Sequence, residues 1–101
     1  MADIHYIALV ESGPEGASVY FPDLPGCTSA GRDLDDAIAN AKEALAGHVA
    51  LMRADGDVIP PPRSLEAIRG DADYRDDLAE VIVAAIPLEA AALHPSPLAA
   101  E

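Results

Sequence analysis

Tryptophan is absent from the 101-residue chain, and only three tyrosines and one phenylalanine supply aromatic surface. The core must therefore rest on Ile, Leu and Val, with the many alanines allowing close packing. Such a core is thin, and joining further copies of the chain is one way to cover apolar surface that a single copy leaves bare; a homo-oligomer, dimer or higher, is expected. Cysteine occurs once, at Cys27. This excludes an intrachain disulfide and a cysteine-based zinc site. No apolar run reaches the ~18–20 residues that span a bilayer. The start, Met1-Ala2-Asp3, has neither the basic region nor the apolar stretch of a secretory signal. A cytoplasmic protein with no membrane association is expected.

Basic residues are also scarce: 6 against 18 acidic ones, for a formal net charge of −12. Sequence-independent binding to nucleic acid needs Lys and Arg to displace phosphate counterions, so the chain is not expected to bind nucleic acid directly. The same charge favours solubility and steering toward a basic partner.

What is present reads as one α+β domain. Residues 4–10 are rich in β-formers and apolar on both faces, as in a central strand. A turn cluster, Ser12-Gly13-Pro14-Glu15-Gly16, leads to a second strand over 17–21, making an antiparallel hairpin. Pro22 stops that strand, and Pro25-Gly26 fits the centre of a type II turn. A short third strand over 27–30 follows. Asp33 is a good N-cap, with Asp35 and Asp36 in the first helical turn. Leu34, Ala37, Ile38, Ala41, Leu45 and Met52, with His48 filling the gap, form one face of a helix of about 21 residues. Gly56 suits its left-handed end. Residues 58–62 are a stiff connector, and Ser64 caps a short helix over 65–69. Residues 71–77 form an acidic loop, and the apolar run 79–86, bounded by Pro87, reads as a buried strand. The order is β-β-β-α-α-β: a three-stranded antiparallel sheet, a long helix, a short helix and a fourth strand. The domain is expected over 1–87, with 88–101 an Ala/Pro-rich tail, extended or disordered, in which 88–93 could form a turn of helix.

No reaction centre is apparent. Cys27 has no histidine near it in sequence to activate a thiolate. His5, His48 and His94 share no metal-ligand spacing, and no glycine loop cradles phosphate. Residues 4–10 of the first strand carry no carboxylate. No enzyme activity, metal or cofactor is expected.

Two stretches together carry a resemblance. Tyr20-Phe21-Pro22-Asp23-Leu24-Pro25-Gly26-Cys27-Thr28-Ser29-Ala30-Gly31, and the helix from Asp33 through Asn40-Ala41-Lys42-Glu43-Ala44-Leu45, resemble HicB-type antitoxins of bacterial toxin–antitoxin systems. Ile59-Pro60-Pro61-Pro62-Arg63-Ser64-Leu65 matches the family's connector. The resemblance spans about residues 4–86. It implies a partly degraded RNase H-like fold without nuclease activity, and a HicA-type partner, a small basic RNA-cleaving toxin. It also implies self-association. The hairpin and the loop at Tyr20, Asp23, Leu24 and Cys27 are the first place to look for partner contacts. Family members usually continue into a DNA-binding domain; residues 87–101 hold no Lys or Arg and are too few for one, so these residues are not expected to bind DNA. A solitary HicB-like domain with another protein partner or a structural role is the competing reading.

Overall fold

The computed structural model describes residues 4–88. Strands β1 (Ile4–Gly13) and β2 (Gly16–Tyr20) form the hairpin, β3 (Thr28–Gly31) follows, and α1 (Leu34–Ala54) and α2 (Leu65–Arg69) precede β4 (Ile82–Leu88), with a 3₁₀ turn at Asp77–Ala79. All four strands pair antiparallel in the order β3-β2-β1-β4. β1 is the inner strand that its two apolar faces imply.

Registers divide the sheet into two faces. Tyr6, Ala8 and Val10 share one with Ala17, Val19, Ala84 and Ile86. On this face α1 buries Ala37, Ala41, Leu45 and Val49, completing the main core with Phe21, Leu24, Cys27 and Leu88. Small residues on both sides let helix and sheet approach closely. Ile7, Leu9, Glu11, Ser18 and Tyr20 share the second face with Val83 and Ala85. Leu9 is fully buried there. The chain after α2 covers part of this face by stacking Tyr74 on Tyr20.

Local chemistry sets the ends of α1. Asp33 is extended and its side chain accepts the Asp36 N–H, and Gly56, at φ +77°, closes the last turn while Asp57 N–H donates to the Met52 carbonyl. Ser64 caps α2 through the Ala67 N–H. The turn at residues 24–27 is also as expected. Cys27 N–H donates to the Leu24 carbonyl at 2.9 Å, and Gly26 takes φ +89°. A Cβ on Gly26 would find open space, its nearest neighbour being His48 Cε1 at 3.9 Å. Gly26→Val is accordingly expected to lose about 1–3 kcal/mol through backbone strain. Thermal melting checks this; an unchanged Tm would contradict the turn assignment.

Three expectations need correction. The helix stripe passes through Val49, fully buried, and not through His48, which is half-buried. Steps of four from Ala37 select Val49; the sequence reading allowed a histidine to fill a gap that the geometry did not have. β1 also runs three residues beyond 10, because the hairpin turn takes only Pro14 and Glu15. Finally, β4 is an edge strand with Ile82 and Ala85 exposed, rather than a buried one. Pro87 lies inside it, paired with His5, and β4 continues to Leu88. An edge strand has one side that needs no ladder bond, so it tolerates proline. Of the expected tail, 88–101, Leu88 is the buried last residue of β4, and the rest falls outside the described residues.

Candidate protein-binding surface

The loop after β2 is built from the inside. Phe21, Pro22, Asp23, Leu24 and Cys27 are all buried, and only Pro25 and Gly26 are exposed. Three backbone bonds hold it: Phe21 N–H to the Cys27 carbonyl, Leu24 N–H to Phe21, and Cys27 N–H to Leu24. A carboxylate in such a place needs a partner. Asp23 finds it forty residues away: Oδ2 accepts the Arg63 backbone N–H at 2.7 Å, and Oδ1 accepts Arg63 Nε–H. Arg63 also donates from Nη1 to Asp71 Oδ2 at 3.0 Å. These bonds to Asp23, then Asp71, push the guanidinium's pKa up. A hydrogen bond from the Asp73 backbone N–H, then Arg63, holds the Asp71 carboxyl below its usual range. One arginine therefore fastens the loop to the chain on either side of α2. Tyr6 adds a second tie by donating from its hydroxyl to the Pro60 carbonyl.

Cys27 belongs to the core. Its Sγ lies 3.7 Å from the Ala44 carbonyl, and burial pushes the thiol's pKa up, away from the thiolate a nucleophile requires. Among the described residues no cluster of three or more His, Cys, Asp or Glu could hold a metal ion. No described helix is long and apolar enough to cross a membrane.

Tyr20 stands apart from the other loop residues singled out in the sequence. It is half-buried on the second sheet face, with its ring 6.5 Å from that of Tyr74, and its hydroxyl donates to Asp77 Oδ2 at 3.3 Å. Burial first, then the charges of Asp77 and Glu11, raise its pKa to about 12. Asp77→Asn is expected to bring that titration down toward the ordinary tyrosine value, readable as the pH-dependent absorbance lost in a Tyr20→Phe difference titration. No movement would show that Asp77 does not govern this site.

Around Tyr20 the surface is concave and acidic. An open cleft of about 280 Å³ is lined by Glu11, Ser12, Asp77, Glu80 and Val81. A second, about 490 Å³, runs along the hairpin past Glu11, Glu15, Ser18 and Ala30. The two meet at Glu11 and Ser12. Among the described residues no salt bridge reaches Glu11, Asp77 or Glu80, whereas Arg63 is held by Asp23 and Asp71, and Arg32 by Asp36. Sequence reasoning identified Tyr20 but missed Glu11 and Asp77 as its neighbours, since residues 11 and 77 meet only through the sheet. It also missed Arg63. That arginine was quoted in the connector, but nothing local signalled its pairing with Asp23.

Known proteins give the same picture. Residues 6–97 match the family described as HicB-like antitoxin of bacterial toxin–antitoxin systems. One chain of the HicA3 and HicB3 toxin–antitoxin complex superposes with a TM-score of 0.68 at 28% identity, over 85% of this chain and 99% of that one. The Burkholderia pseudomallei antitoxin HicB gives a TM-score of 0.70 at 28% identity, over 96% of this chain and 70% of that chain. An uncharacterised 14.9 kDa protein of Haemophilus phage HP1 is 35% identical over 77 residues; the match spans 76% of this chain and 58% of that relative's length. With its antiparallel sheet, long helix and buried FPDLPGC loop, the chain belongs to the HicB-like antitoxin family.

Proposed function

We propose that this chain acts in the bacterial cytoplasm as an antitoxin, neutralising a small basic RNA-cleaving toxin of the HicA type by binding it. The observation that carries this is the acidic surface where Glu11, on the sheet face that α1 does not cover, meets Asp77 and Glu80 of the segment before β4, with no salt bridge to any of the three among the described residues. A basic protein brings the missing counter-charge, and charge complementarity speeds encounter and selects the partner. Of the candidate contact residues, Tyr20 meets the partner directly, while Asp23, Leu24 and Cys27 act from beneath by fixing the loop. The chain acts without catalysis of its own, as a degraded RNase H-like sheet would: residues 4–10 offer no carboxylate and the one thiol is buried. The domain proposed over 1–87 would bind protein and not nucleic acid, and copies would associate with one another.

Calorimetry with the product of a small basic reading frame beside this gene tests the proposal. Micromolar or tighter binding is expected. Glu11→Arg with Glu80→Arg should weaken it by about 10–100-fold, because like charges then face each other. The same two reversals at Glu43 and Asp57, both exposed elsewhere, should change it by no more than about threefold. Equal losses from both pairs would place the contact elsewhere. No binding by the native chain would favour the solitary-domain reading.

A further inference from the structure

The second face of the sheet is covered unequally. At its middle Leu9 is fully buried and Tyr74 stacks on Tyr20. Toward the hairpin and β3 the registers place Glu11, Gly13, Gly16, Ser18, Thr28 and Ala30 on this face, and all but Gly16 are exposed. Apart from Glu11 none is larger than threonine, so the floor is bare almost to the backbone. The cleft of about 490 Å³ runs along it. The described chain begins and ends at the other end of the sheet, where Ile4 pairs with Leu88.

The shape of this floor selects what can sit on it. A sheet face offers no backbone hydrogen bonds, because the strands use theirs on one another. An occupant must therefore satisfy its own backbone internally, as a helix does. From β1 to β3 the floor spans two strand spacings, about 10 Å, the width of one helix. A second sheet would need a broad apolar floor to interdigitate with, which glycine, serine and threonine do not supply. Nor can a partner strand extend the sheet at Ala30, whose carbonyl already accepts from Asn40 Nδ2 at 2.9 Å. Charge then fixes the character of the helix. Glu11 borders the floor on the β1 side with Asp77 and Glu80 beside it, while Thr28 and Ala30 on the β3 side are uncharged.

We infer that the hairpin half of this face seats one α-helix of the basic partner, with the helix's small residues on Ser18 and Ala30 and its Lys or Arg side chains turned toward Glu11. The inference rests on the toxin-binding reading above and names the part of the partner that this surface engages. Docking of an amphipathic helix by one face is an established mode of recognition, and here the small floor admits the helix while the acidic border orients it.

Calorimetry of the whole chain with the product of the small basic reading frame beside its gene provides the test, with circular dichroism as a check of folding. Ser18→Trp and Ala30→Trp each add bulk to the floor without changing charge, at exposed strand positions that suit an aromatic residue. Each should weaken binding by about 10-fold or more, a loss of about 1.4 kcal/mol. Ala85→Trp, exposed on the same face but on β4, should change it by no more than about threefold. Hydrogen exchange on the partner should slow within one helix when this chain is added. If both floor variants bind as the native chain does, while Glu11→Arg with Glu80→Arg still weakens binding, the seat is overturned and the charge reading stands. Slowing confined to a strand or loop of the partner would overturn the helical occupant. No binding by the native chain would overturn the toxin-binding reading and this inference together.

Discussion

Gly31→Ala is expected to cost on the order of 3–4 kcal/mol. A Cβ at Gly31 would stand 2.3 Å from Ala37 N, 2.7 Å from Ala37 Cα and 2.7 Å from the Asp36 carbonyl carbon. All three are backbone atoms of the first turn of α1, so no rotamer change relieves the clash. The helix would have to retreat from the sheet. That would loosen Ala37 and Ala41, which rely on close approach to bury anything at all. Interiors are packed densely enough that such a shift loses dispersion contacts along its length. Urea denaturation checks this: the midpoint should fall with the slope unchanged. An unchanged midpoint would mean that α1 does not lean on β3 this closely.

Arg63→Ala is expected to destabilise by about 2–4 kcal/mol. The substitution keeps the backbone N–H at 63 but removes the counter-charge of Asp23, which has only 4% of its side chain exposed. The range is set below the full cost of a buried pair because Arg63 itself is 37% exposed and screened by water. Arg63→Lys should rescue little. A single ammonium cannot give Nε–H to Asp23 and Nη1–H to Asp71 at once. Adding Asp23→Asn to Arg63→Ala should recover part of the loss, because the stranded charge disappears; a double-mutant cycle measures this. Strictly additive effects would contradict the clamp. Loss of the clamp should also weaken toxin binding beyond what instability explains, because Tyr20 stands at the head of the loop that Asp23 anchors.

What could be read from the sequence follows how far each interaction reaches along the chain. The hairpin, the turn at Pro25-Gly26, the caps at Asp33 and Ser64 and the helix stop at Gly56 were all legible. Each is settled by residues within a few positions of itself. The α+β class followed from their order. The placing of β4 at an edge was not legible, because an apolar run of that length fits an edge and a centre equally well. Proline 87, read as a boundary, was in fact the clue. Val49 was hidden by reading the stripe through His48. Asp23 was noticed but its role was not, since Arg63 lies forty residues downstream and only the fold brings them together. The acidic surface was visible as composition and invisible as a place: Glu11 comes from the first strand and Asp77 from the loop before the last.

The central claim is that this protein silences an RNA-cleaving toxin by binding it. The most direct measurement adds the purified chain, in increasing ratio, to the small basic protein proposed as its toxin and follows cleavage of an RNA substrate. The account predicts that cleavage stops near equimolar antitoxin, and that the Glu11→Arg, Glu80→Arg variant needs a large excess to do the same. Undiminished cleavage in the presence of excess native protein would contradict it.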